Sequence, residues 1–86
     1  MIVDDHPAMV LALKSLLHHQ LGFEVIDVAH DGKSCLAIAK DVRPDMMILD
    51  LDMPHTDGFD LIRRLKLSLR NLKLLILNTR MKWVRL

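Results

Sequence analysis

Four apolar residues in a row, Met46-Met47-Ile48-Leu49, stop abruptly at an acid, Asp50. A short continuous apolar run of this kind reads as a strand buried on both faces, which is the situation of a parallel sheet with helices packed on either side. Met1-Ile2-Val3 has the same form and ends on two acids, Asp4 and Asp5, as the last part of a buried strand. The β-branched stretch 24–29 (EVIDVA) and the stretch 72–77 (LKLLIL) are expected to supply two more strands.

Helical stripes separate these strands. Pro7 suits a first turn, and Met9, Val10, Leu13, Leu16, Leu17 and Leu21 recur at helical spacing until Gly22 stops them. Asp31 caps a second stripe of Cys35, Leu36, Ile38, Ala39 and Val42, which Arg43-Pro44-Asp45 breaks. Thr56 or Asp57 caps a third, whose inner face is expected to use Phe59, Ile62, Leu65 and Leu69. Residues 80–86 show no clear pattern. Strand and helix alternate three times before a final strand, which argues for right-handed crossovers and a parallel α/β sheet. In such sheets sites form at the carboxyl ends of the strands, where Asp4, Asp5 and Asp50 fall.

Composition narrows the choices. The chain has 86 residues, room for one small domain, and 51% of them are hydrophobic, which argues against disorder. A formal charge of +1 provides no global field for nucleic acid or membrane. A lone Cys35 forms no internal disulfide and fits a reducing cytoplasm. No secretory signal and no membrane-spanning run are evident. The adjacent His18 and His19 do not share a helix face and read as surface residues, and nothing has zinc-ligand spacing. Arg63, Arg64, Lys66 and Arg70 lie on or near one helix and read as a solvated face, with a kinase-docking or dimer surface as the alternative.

Three carboxylates converging at one sheet edge repel one another unless a hard cation holds them, and oxygen donors suit Mg²⁺. A strand-end carboxylate beside such a cation is also a nucleophile toward phosphorus.

The segments Ile2-Val3-Asp4-Asp5-His6-Pro7, 44–54 (PDMMILDLDMP) and Asp57-Gly58 resemble the receiver domain of bacterial two-component response regulators. The likeness runs from residue 2 to about residue 78, and His6 after the acidic pair resembles the LuxR/NarL-type subfamily. The resemblance implies a flavodoxin-like open parallel sheet with strand order 2-1-3-4 over residues 1–79, leaving 80–86 unassigned. It implies a non-enzymatic role in phosphorelay signalling in the cytoplasm. Asp50 would take a phosphoryl group from a sensor histidine kinase. Mg²⁺ would sit on Asp5 directly, on Asp4 mainly through water, on Asp50, and on the backbone carbonyl of Asp52. Pro54 and Gly58 would shape the loop into the third helix. Asn78, or Thr79 one place on, would occupy the phosphate-switch position, where the family carries a hydroxyl.

The family continues with a fourth helix, a fifth strand ending in a lysine, and a fifth helix. This sequence shows none of these, and Lys82 stands too close to the fourth strand to be that lysine. A truncated receiver is therefore expected, with the fourth strand as an apolar edge prone to homodimerisation. The alternative function is a remnant that binds or dimerises without accepting phosphate. No direct DNA contact is expected from this segment. Asp50-Leu51-Asp52 also resembles the opening motif of haloacid-dehalogenase-type phosphatases, but that family needs Thr or Val where Pro54 stands and places its motif after the first strand.

Overall fold

A computed structural model describes residues 1–54 and 56–77, and the backbone of residues 83–85. Its strands are β1 (Ile2–Val3), β2 (Val28–Ala29), β3 (Met46–Asp50), β4 (Lys73–Leu77) and β5 (Trp83–Arg85). Its helices are α1 (Pro7–Ser15), α2 (Gly32–Val42) and α3 (Gly58–Ser68). The sheet order is β2-β1-β3-β4-β5. The first four strands are mutually parallel in the expected 2-1-3-4 order, with β3 paired to both β1 and β4.

β5 corrects one expectation. It pairs antiparallel to β4, with Leu77 opposite Trp83 and Leu75 opposite Arg85, so β4 is not the edge of the sheet. An unpaired row of main-chain donors and acceptors on an apolar strand is a template for pairing, and residues 83–85 fill it. Only three residues are involved, too few to show a period in the sequence.

Two apolar layers enclose the sheet. On one face Val3, Met47, Leu49, Leu74 and Ile76 pack with Cys35 and Ala39 of α2 and Leu61 and Leu65 of α3. On the other, Ile2 and Ile48 pack with Val10, Leu13 and Leu17. Burial pushes the Cys35 thiol up to about 12, so it sits in the core as a small apolar group.

Three local departures have physical reasons. β2 is shorter than 24–29 because its one partner among the described residues, β1, is two residues long. Past α1 the chain continues as a π-helical turn, Leu16–Gln20. An unbroken α-helix would return Leu21 to the line of Leu17. The wider turn leaves it 59% exposed. Leu16 also lies outward, and Gly22 ends the segment at φ +69°. In α3 the inner face is Leu61 and Leu65, with Ile62 and Leu69 packed alongside. Phe59, expected inside, is 79% exposed. It stands two residues before Leu61, about 200° around the helix at roughly 100° per residue.

The caps fall as expected. Asp31 accepts the Ser34 N–H at 2.8 Å, and Arg43 closes α2 in the left-handed region at φ 49°. Asp57 rather than Thr56 caps α3, accepting the N–H groups of Phe59 and Asp60 at 3.1 and 3.2 Å. Asp57→Ala should therefore cost about 1 kcal/mol while Asp57→Asn costs only a few tenths, read by urea unfolding. Equal losses for the two would remove the capping role. Gly58 permits the entry to α3, since a Cβ there would come within 2.6 Å of Leu51 Cδ2.

Candidate functional site

β1 and β3 lie side by side in the middle of the sheet, with Val3 level with Leu49. Asp4 follows β1 and Asp50 ends β3, so the two carboxyls meet at one edge, both almost entirely buried. Asp4, Asp5, His6 and Asp50 each present a donor atom, and these atoms lie within 4.8 Å of one another.

Each buried carboxylate is aimed by a tight local turn. Asp4 Oδ1 accepts the main-chain N–H of His6 at 2.8 Å. Asp50 Oδ1 accepts that of Asp52 at 2.9 Å. Both are the i to i+2 bond with which aspartate fixes its own backbone. His30, just past β2, donates its Nδ1–H to the main-chain carbonyl of Asp4 at 3.1 Å. Asp50 Oδ2 is left 3.7 Å from His6 Nδ1.

His6 is the residue that sequence reasoning did not place in the pocket. Its Nδ1 lies 2.9 Å from Asp4 Oδ1 and 3.0 Å from Asp5 Oδ1. The hydrogen bond to Asp4, and then the charge of Asp5, hold the imidazole above its ordinary value. Burial raises the Asp50 carboxyl, helped by the charge of Asp4 and opposed by the Asp52 N–H. The signal available beforehand was adjacency alone: a residue directly after two strand-end acids must turn near them.

The donor set fits a hard divalent cation. Asp5 Oδ1 is shielded from solvent yet accepts no hydrogen bond, although His6 Nδ1 is near, and such an orphaned oxygen is costly without a partner. All the carboxylate donors are hard oxygens, the ligands Mg²⁺ prefers. Asp52 lies at the exposed start of the loop after β3. Asn78 and Thr79 lie outside the described residues, as does Lys82. His18 and His19 are exposed with their rings edge to face, 4.9 Å between centroids, away from the acids.

The sequence matches the response regulator receiver domain over residues 1–82. The chain belongs to that family. It is 40% identical over 68 residues to the transcriptional regulatory protein TrcR of Mycobacterium tuberculosis, a match covering 79% of this chain and 26% of TrcR. The fold superimposes on a LuxR-family two-component response regulator from Aurantimonas sp. SI85-9A1 with a TM-score of 0.83 at 26% identity, covering 91% of this chain and 56% of the other. RcsB of Salmonella enterica serovar Typhimurium, whose structure bound to the rprA promoter was obtained with the phosphomimetic BeF3-, matches with a TM-score of 0.80 at 25% identity over 90% of this chain and 45% of RcsB. This chain thus spans about a quarter of the length of TrcR. Among the described residues no helix is long and apolar enough to cross a membrane.

Proposed function

We propose that this chain is a phosphoacceptor domain in which Asp50 takes a phosphoryl group from the phosphohistidine of a sensor histidine kinase. The supporting observation is the buried Asp50 at the end of the central strand, one oxygen tied to the Asp52 N–H and the other turned toward Asp4, Asp5 and His6. A carboxylate oxygen of Asp50 attacks phosphorus. The P–N bond of the donor breaks, and its electron pair returns to the imidazole, which takes up a proton. Asp4, Asp5, Asp50 and the backbone carbonyl of Asp52 would hold Mg²⁺. When bound, the ion neutralises charge on the transferring phosphoryl oxygens. This reading gives Asn78 or Thr79 the phosphate-switch role, and it puts the chain in the cytoplasm, which an unpaired Cys35 suits.

A second reading is an interaction or dimerisation module that no longer accepts phosphate. One observation favours it: β5 runs antiparallel beside β4, where the family's parallel fifth strand would carry its lysine.

Incubation with a small phosphodonor and Mg²⁺, followed by intact-mass measurement, separates the two. The expected result is a single phosphoryl adduct on the chain, none on Asp50→Asn, and none when the metal is chelated. An unlabelled chain, under conditions that label a complete receiver, would leave the second reading standing.

A further inference from the structure

Away from the acidic pocket, α2 and α3 pack side by side and leave a groove between them. It consists of two recesses of about 270 and 160 Å³ in line. Leu36 and Arg64 line both, so the recesses are consecutive stretches of one channel. The α2 wall presents Lys33, Leu36 and Lys40, spaced i, i+3, i+7, and the α3 wall adds Arg64 and Leu67. At a rise of 1.5 Å per residue, the two lysines stand about 10 Å apart along the groove, with an apolar residue between them.

The charges in this groove are unevenly spent. Asp57 is occupied in capping α3. Asp60 holds both Arg63 and Arg64, at 2.7 and 2.8 Å. Among the described residues, the ammonium groups of Lys33 and Lys40 meet no acid. The groove therefore has a surplus of positive charge around an apolar floor, and Leu67 on its rim is 68% exposed. Nucleic acid would satisfy the charge and leave Leu36 and Leu67 uncovered. An amphipathic helix with an apolar ridge flanked by carboxylates satisfies both, in the helix-in-groove mode of recognition.

We propose that the α2–α3 groove is a docking site for an acidic amphipathic helix of a partner protein. Its apolar ridge lies on Leu36 and Leu67, and its carboxylates meet Lys33 and Lys40. The proposal is independent of phosphate acceptance at Asp50.

The test uses the isotope-labelled chain and a designed helical peptide with leucines at i, i+4, i+7 between glutamates. A twin peptide has lysine for each glutamate, and a random-sequence DNA duplex serves as the nucleic-acid probe. The glutamate peptide should shift the amide resonances of 33–40 and 60–68. The lysine twin should not. The double variant Lys33→Glu/Lys40→Glu, whose melting should match the parent, should weaken the glutamate peptide about tenfold and accept the lysine twin instead. Leu67→Ser should weaken binding without changing its dependence on salt. Perturbation elsewhere on the chain, equal binding of the two peptides, no binding at millimolar peptide, or displacement of the peptide by the duplex would each overturn the proposal, the last by making the groove a polyanion contact.

Discussion

Leu49→Ala is expected to lower the free energy of unfolding by about 3 kcal/mol, within the range for a fully buried leucine. Leu49 is wholly inaccessible. It lies on the central strand between Val3 of β1 and Ile76 of β4, against the α2–α3 layer. Domains of this size are stable by only about 5–15 kcal/mol, so the loss should move the urea midpoint far toward zero. Leu67→Ala, at an exposed site, should change stability by no more than about 0.5 kcal/mol. Similar effects at the two positions would mean that the core is not packed as described. Leu49 also immediately precedes Asp50, so a variant that still folds should show a smaller Mg²⁺-dependent gain in melting temperature, because the strand end carrying Asp50 is looser.

The second large effect is a stability that depends on pH and on Mg²⁺. His6 is raised above its ordinary 6.5 by its bond to Asp4. Its contribution is therefore complete below 6.5 and is lost as pH rises through the higher folded value. Asp50, raised by burial above 3.8, acts in the same direction: its ionisation is costlier in the folded state, so stability falls as pH climbs from 3.8 through the folded value. Asp31, held low by Ser34, and Asp60, held low by Arg63 and Arg64, contribute above 3.8 and lose that contribution only as pH falls further. The metal-free chain should therefore weaken as pH rises through the folded value of His6, partly offset by the Met1 ammonium, which burial lowers from 8.0 and which adds stability as pH climbs toward 8.0. Added Mg²⁺ should reverse the weakening. At a hundredfold excess over its dissociation constant a ligand contributes about 2.7 kcal/mol. Thermal melts with Mg²⁺ or chelator, on either side of pH 6.5, should show the larger gain on the alkaline side and little gain in Asp5→Asn. A gain that is the same at both pH values, or that survives Asp5→Asn, would count against a cation in this pocket.

Much of this architecture is readable from residue order because burial on both faces leaves a plain mark. The apolar runs before Asp50 and through 72–77 have no polar alternation, so their place in the sheet follows. Asp31 and Asp57 mark helix starts because a short acid accepts main-chain N–H groups that nothing else can satisfy. The departures have a different cause. Phe59 stands three residues before Ile62, a spacing that reads inward, yet it lies about 200° around the helix from Leu61 and faces solvent. β5 is induced by the strand beside it rather than by its own pattern. Asp4, Asp5 and Asp50 are legible as a cluster because two buried apolar strands run directly into them. His6 is not, because the direction of a side chain after a two-residue turn depends on the local bond from Asp4 and on no period in the chain.

β1 lies between β2 and β3, and its neighbours come from far along the chain. Asp4 therefore reaches Asp50 only after two crossovers have closed around it, and the loop-closure entropy of both must be met before the carboxylates share a pocket. The α2 helix and the antiparallel β4–β5 pair, by contrast, join near neighbours in sequence, which favours rapid formation. No short fragment of this chain can assemble the pocket. Occupancy of the pocket by a cation would therefore report completion of the whole parallel core, making the site a readout of topology as well as of chemistry.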